Sequence, residues 1–341
     1  MVHPWRVAVA GVGNVGKALL ALVAERGEEL SRLGLGLRVV GLATRRHGPR
    51  WAENGWEAGA LAAAFPDDTS SRSTSLEAWL DDCHPQILVD LLPQSDDGEP
   101  SRTLIAQALL RGIHVVTANK APLALAGAEL TELARVHDRS LLHTATVLDA
   151  VPLRAMLQAM PLARFHGLRA VVNSTSGVVL DALTSGRTLQ EGVAEAQRMG
   201  IAEADPQRDL DGRDAAMKLV LLTRLVLGEW VPLGEVARQG VADLTAEQRR
   251  HGARVRLVAE AWLRDGRVVA SVAPREVGPE DPLGFLRGPG EAVELVGDAP
   301  GRLLTGMPAP TVRDTAAGVL HDVVEVAARG IPGVSAPRPR V

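Results

Sequence analysis

The stretch "EADPQRDLDGRDAAMK", residues 203–218, gathers Glu203, Asp205, Asp209 and Asp214 ahead of one lysine, Lys218, four residues past Asp214. On a helix, residues four apart share a face. Exposed, such a pair is a surface ion pair worth about 0.3–0.5 kcal/mol. Withdrawn from water, it is a different object. Desolvation disfavours the charged lysine and a carboxylate favours it, so opposing effects can tune the amine to give and take a proton. The pair alone favours the first reading, and the rest of the chain has to decide.

A second constellation lies near the start. In "WRVAVAGVGNVGKALLALVAERG" a β-branched run, Val7 to Ala10, enters Gly11, Gly13 and Gly16 and then an apolar helix from about Val15 to Ala24. This is the dinucleotide pattern in its strand-to-helix setting, with Gly11, Gly13, Asn14, Val15 and Gly16 placed to wrap a pyrophosphate at a helix N-terminus. The next strand, Leu37 to Thr44, ends without the acid that takes ribose hydroxyls and runs into Arg45 and Arg46. Guanidinium forks match a 2′-phosphate, which points to NADP, with NAD as the other nicotinamide cofactor.

These residues need elements to hold them. Further strands are expected at Gln86 to Pro93, in "GIHVVTANKAPLA" and in "RSLLHTATV", with a helix from about Ser101 to Arg111 between. Strands alternating with helices imply an α/β, Rossmann-type, doubly wound parallel sheet. Ligands of such sheets bind beyond the carboxyl ends of the strands. Pro93 and Gln94 stand at one such end, and Asn119 and Lys120 at another. After Pro152 the pattern shifts to α+β. It has a strand, polar turn and helix in "FHGLRAVVNSTSGVVLDALTSG", and a helix opened by a Thr188/Glu191 capping box. A long helix from about Gly212 to Leu227 follows, then a mixture of one helix and alternating strands in 235–274. A last amphipathic helix is expected over Thr311 to Ala328, before a frayed tail "GVSAPRPRV". The domains expected are 1–150 with the returning segment 311–341 for the dinucleotide, and 151–310 for substrate binding and dimerisation.

Composition narrows the function classes. The 341 residues carry a net charge of −4 and no basic run, which speaks against a nucleic-acid partner. The one cysteine, Cys83, fits a reducing compartment. A strand begins almost at once and no apolar run reaches spanning length, so a cytoplasmic protein with no membrane partner is expected. His143, His166, His251 and His321 show no ligand spacing, and no metal site is assigned.

With these motifs assembled, the sequence resembles the homoserine dehydrogenase family over most of its length. The resemblance rests on "AGVGNVG", "DGEPSRTLIAQALLRGIHVVTANKAPLA", "VVNSTSGVVLDAL" and, most specifically, the register Glu-x-Asp-Pro-x-x-Asp-x-x-Gly-x-Asp-x-x-x-Lys in 203–218. It implies a homodimer that interconverts L-homoserine and L-aspartate 4-semialdehyde by hydride transfer, as a step in threonine and methionine biosynthesis. It implies Lys218 as the acid/base group with Lys120 as runner-up near the reacting oxygen. Asp209 and Asp214 then order the site, and Glu203 holds the substrate amino group. Asn173, Ser174, Thr175 and Ile201 fall at substrate-side positions.

Four departures bear on the substrate. Leu148, Asp149 and Ala150 replace a glycine-rich turn, Thr144 replaces an acid that serves a monovalent cation, and Ile201 replaces a tyrosine. Ser174 stands where the family has glycine and Gly177 where it has asparagine. A pocket that loses a polar partner changes its preference strongly. The alternatives are therefore an oxidoreductase of this type acting on another small hydroxy compound or aldehyde, and a non-catalytic NADP-binding relative.

Overall fold

The computed structural model describes residues 4–63, 71–245, 247–250 and 252–329. The tail expected to fray at 333–341 and His251 lie outside the described residues. The chain divides into two compact units, one running to Pro152 and resuming at Thr311, the other Leu153–Pro310.

In the first unit, β1 (Trp5–Ala10) is followed by α1 (Asn14–Glu25), α2 (Gly27–Arg32), β2 (Leu37–Thr44), β3 (Gly48–Trp56), α3 (Ala58–Ala63) and β4 (Ser71–Arg72). Then come α4 (Leu76–Cys83), β5 (Ile87–Asp90), α5 (Ser101–Leu110), β6 (His114–Thr117), α6 (Lys120–Val136), β7 (Leu141–Leu142) and α7 (Ala145–Leu148). The sheet order is β4-β3-β2-β1-β5-β6-β7. The five strands from β2 to β7 in this order are parallel, as expected of short apolar runs buried on both faces. At one edge β3 and β4 extend the sheet antiparallel, which strand-helix alternation did not reveal. Arg45, Arg46 and His47 consequently form a tight hairpin turn, where Thr44 Oγ1 accepts from the His47 N–H at 3.0 Å.

The strand expected to reach Pro93 stops at Asp90, because the Leu92 N–H turns back onto Asp90 Oδ1 at 3.2 Å. Val7, Val9, Ile87 and Val89 pack one sheet face against Leu19, Leu20 and Leu22 of α1. The last helix, Val312–Arg329, returns to the same core through Ala316, Val319, Val323 and Val326.

In the second unit, α8 (Leu153–Ala159), β8 (Phe165–Val171), α9 (Ser174–Thr184), α10 (Leu189–Arg198), α11 (Gln207–Leu210) and α12 (Arg213–Leu227) lead into β9 (Ala237–Arg238), β10 (Val255–Arg264), β11 (Arg267–Glu276), β12 (Glu291–Gly297) and β13 (Arg302–Met307). The sheet order is β13-β12-β8-β10-β11-β9, antiparallel except at β9. Helices α9 and α12 pack against its central strands. The Thr188/Glu191 capping box is present, with both reciprocal bonds formed.

The helix expected beyond 235 is corrected. Among the described residues between Gly228 and Val255 the helical segments are two 3-10 turns, at Leu233–Glu235 and Val241–Asp243. Pairing of Ala237 and Arg238 with Ser271 and Val272 draws this segment into the sheet, and tertiary pairing outweighs helix propensity.

Leu20 is 1% exposed at the centre of the first core, whereas Leu162 is 88% exposed. Leu20→Ala is expected to lose about 2–5 kcal/mol of stability, and Leu162→Ala to stay within about 0.5 kcal/mol of wild type. Denaturant midpoints with unchanged slopes check both.

Candidate active site

In the second unit the junction of β8 and α9 meets the start of α12 around Asn173. As N-cap of α9, Asn173 accepts the Ser176 N–H through Oδ1 at 2.8 Å. Its amide donates to Asp209 Oδ1 at 2.7 Å and Asp214 Oδ2 at 2.9 Å. Both donors and the carbonyl oxygen of the side chain are engaged, so Asn173, a substrate-side residue by resemblance, is committed to organising two carboxylates. Asp214 in turn lies 3.6 Å from Lys218 Nζ, one helical turn on, and Lys218 donates to the Val172 carbonyl. The Asp214 and Lys218 side chains are 11% and 14% exposed. The pair is thus withdrawn from water, and the surface ion-pair reading fails.

Asp209 carries the electrostatic cost of this crowding. Burial first, and the charge of Asp214 second, push its carboxyl above the usual range, while bonds from Asn173 and Thr175 and the charge of Lys218 pull it back. Thr175 therefore belongs to the same network. Ser174, the first residue of α9, reaches the other way, to the Pro289 carbonyl and to Glu291 Oε1, each at 2.9 Å. Glu291, which no motif marked, lies 3.6 Å from Lys218 Nζ. Ile201 is half-buried and Glu203 exposed on the loop between α10 and α11, outside this hydrogen-bonded set.

The first unit builds its ligand end from the carboxyl ends of β1, β5 and β6. Gly11 has φ +97°, and a Cβ there would fall 2.1 Å from the Leu91 carbonyl oxygen. Only glycine lets the β1 turn pass that close to the end of β5. Around Gly13 there is open space, and the first turn of α1 has no side-chain cap. An uncapped helix N-terminus favours an anion, so Gly11, Gly13, Asn14, Val15 and Gly16 are the residues that could hold the pyrophosphate of a dinucleotide. Arg45 and Arg46 are exposed in the hairpin turn after β2, with no acid at that strand end. Pro93 is exposed and Gln94 half-buried beyond β5.

Behind this end sits a polar cluster that the sequence reading missed. Asp90 is fully buried and accepts from Ser101 Oγ at 3.0 Å and Thr117 Oγ1 at 2.9 Å. Burial pushes its carboxyl up to about 6, against the pull of these bonds and the Leu92 N–H. Asn119 donates to Ser101 Oγ at 2.9 Å and caps α6 by accepting from Ala121, which makes Lys120 the first helical residue. The segment at Leu148, Asp149 and Ala150 holds a surprise. Asp149 adopts φ +50°, the region glycine favours, and Thr315 Oγ1 fastens its Oδ1 at 2.6 Å. Thr144 binds Asp322 through both its N–H and its hydroxyl at 2.7 Å.

The sequence pattern of "Homoserine dehydrogenase, NAD binding domain" matches residues 11–144, and that of "Homoserine dehydrogenase" matches residues 152–324. An NAD(+)-dependent homoserine dehydrogenase of Pseudomonas canavaninivorans is 32% identical over 94% of this chain and 96% of its own length. Among solved structures, a homoserine dehydrogenase from Thiobacillus denitrificans superposes with a TM-score of 0.82 at 31% identity, over 95% of this chain and 73% of that one. A hyperthermophilic archaeal homoserine dehydrogenase in complex with NADPH gives 0.81 at 27% identity, over 98% of this chain and all (100%) of that one.

The Asp90 cluster makes a pH prediction. Its carboxyl titrates at about 6 folded against 3.8 ordinarily, so protonated Asp90 is favoured in the native state. Its contribution is fully present below about pH 4 and is lost as pH rises to about 6, a fall of about 3 kcal/mol at about 1.4 kcal/mol per unit. Asp90→Asn is expected to flatten the stability profile in this window, measured by denaturant unfolding at a series of pH values. An unchanged slope contradicts the assignment.

Proposed function

The chain belongs to the homoserine dehydrogenase family, and from that premise we propose how its residues interconvert L-homoserine and L-aspartate 4-semialdehyde. The observation that carries the reading is the withdrawn Lys218 beside Asp214, with Asp209 joined to Asp214 through Asn173. When bound, the nicotinamide supplies the hydride acceptor for oxidation and the donor for reduction. As hydride leaves the hydroxymethyl carbon, the hydroxyl must shed its proton, or a high-energy protonated aldehyde forms. Lys218 Nζ takes that proton in oxidation and returns it to the carbonyl oxygen in reduction. Asp214 orients the amine and stabilises its charged form, and Asn173, which also donates to Asp209, fixes Asp214.

Glu203 is assigned to the substrate ammonium, and Ser174, Thr175 and Ile201 to the pocket wall. Lys120 is assigned to the reacting oxygen and is the second candidate for the proton step. The composition supports a proton role for both lysines. Of 37 basic residues only Lys17, Lys120 and Lys218 are lysines, in a chain otherwise served by arginine. A guanidinium does not release its proton in a protein, so arginine cannot stand in where an amine must titrate.

Gly11, Gly13, Asn14, Val15 and Gly16 are assigned to the pyrophosphate, with Pro93, Gln94 and Asn119 along the strand ends. Arg45 and Arg46 support a preference for NADP. We infer a cytoplasmic homodimer in amino-acid biosynthesis from the family; no described helix is long and apolar enough to cross a membrane. A second reading, another small hydroxy compound as substrate, is favoured by the replacement of tyrosine by Ile201 and of glycine by Ser174.

Nicotinamide absorbance with L-homoserine and NADP or NAD tests these assignments. Lys218→Ala is expected to lower kcat by about 10²–10⁴ in both directions. A loss of that size in Lys120→Ala, with Lys218→Ala affecting KM alone, exchanges the two roles. Replacing Arg45 and Arg46 by alanine is expected to raise KM for NADP about tenfold or more, the worth of one charge-assisted contact, and to leave NAD unchanged. Equal effects on the two cofactors contradict the phosphate role.

A further inference from the structure

Glu291 opens β12 and is 4% exposed. Its Oε1 lies 3.6 Å from Lys218 Nζ, the same separation as Asp214 Oδ2. Ser174 Oγ stands 2.9 Å from that oxygen and 2.9 Å from the Pro289 carbonyl, so one hydroxyl proton is shared between two acceptors. Helix α9 holds the loop before Glu291 at two further points. Asp181 Oδ2 accepts the Gly288 N–H at 2.7 Å. A Cβ on Gly177 would fall 2.3 Å from the Gly288 carbonyl oxygen, so any side chain there would lift the loop from the helix.

Residues 174, 177 and 181 fall on one helical face. Two departures from the family pattern therefore complement each other. Ser174 in place of glycine adds the hydroxyl that binds Glu291, and Gly177 in place of asparagine clears the space that brings Glu291 within reach.

We infer that Glu291 is a positioning residue for Lys218, held by Ser174, and that it supplies from β12 a second carboxylate to the amine besides the one Asp214 supplies from α12. The groups facing Lys218 are then Asp214 on its own helix, Asp209 from α11, Glu291 from β12 and the Val172 carbonyl at the end of β8. Every one of these carboxylates favours the ammonium form. Removing the charge of Glu291 therefore lowers the pH at which Lys218 gives up its proton. Oxidation needs the free amine, so its rising limb moves to lower pH. Reduction needs the ammonium, so its falling limb moves the same way. This rests on the reading of Lys218 as the proton carrier.

The three lysines make the test direct. In the full chain labelled with [13Cε]lysine, three signals are expected, assigned by Lys→Arg variants. The Lys218 signal is titrated in wild type, Glu291→Gln, Ser174→Ala and the double variant. Glu291→Gln is expected to move its midpoint down by about one unit, the low end for a unit charge at this range. Ser174→Ala moves it less and in the same direction, and the double variant goes no further than Glu291→Gln, because the two act as one device. The pH limb of kcat shifts in parallel, whereas a purely structural role would lower kcat and leave the limb in place.

An unmoved Lys218 midpoint in Glu291→Gln overturns the proposal, and so does full additivity of the two variants. If Glu291→Gln does not fold, Ser174→Ala decides alone: a downward shift supports the proposal and an unmoved midpoint overturns it. If wild type does not oxidise homoserine, the proposed reaction fails while the titration still decides the role of Glu291.

Discussion

The second unit depends on one amide. Asn173 has two N–H donors and spends them on two carboxylates, Asp209 and Asp214, while its carbonyl oxygen ends the N-terminal turn of α9. Bringing two acids together in a buried place is unfavourable by repulsion and by desolvation, and Asp209 registers both. The amide between them joins the end of β8 to the start of α12, beside the packing of that helix on the sheet. With it, Asp214 is fixed, Lys218 stands one turn beyond, and the Val172 carbonyl just before Asn173 accepts from the lysine. Fold and chemistry are joined through a single helix cap.

The first unit repeats the device. Asn119 caps α6 after β6 as Asn173 caps α9 after β8, and its amide also reaches sideways, to Ser101 and through it to Asp90. In both cases a strand-to-helix junction is locked by an asparagine whose oxygen serves the helix and whose nitrogen serves neighbouring elements. Asparagine suits this because it is a favoured N-cap that keeps two donors free. A lysine follows within reach of each junction: Lys120 directly after its cap, Lys218 from the helix that the cap recruits.

Local chemistry was legible in the sequence and long-range chemistry was not. The strand 37–44, the capping box at Thr188 and the helix bearing Asp214 and Lys218 follow from periodicity and end signals within a few residues. Pairing Asp214 with Lys218 needed only helical spacing, whereas Asp209, on the preceding short helix, was grouped with them by the family pattern. Glu291 is distant in sequence from Lys218, and an acid at the head of an apolar strand reads like any charged strand end. Asp90 reads as part of the strand it terminates. The helix expected beyond 235 failed because β11 recruited residues 237 and 238, a partner no local window contains. Asp149 shows the converse: where the family has a glycine-rich turn, an aspartate takes a backbone region that glycine favours, and Thr315 fastens its side chain.

The central claim is that this arrangement moves a hydride from the hydroxymethyl carbon of homoserine while Lys218 takes the proton. Mass spectrometry of the nicotinamide cofactor after incubation with homoserine deuterated at that carbon tests it most directly. The account predicts reduced cofactor carrying one deuterium with wild type, formed about 10²–10⁴ times more slowly with Lys218→Ala. Reduced cofactor without deuterium, or no reduction by a wild-type protein that binds the cofactor, would contradict it.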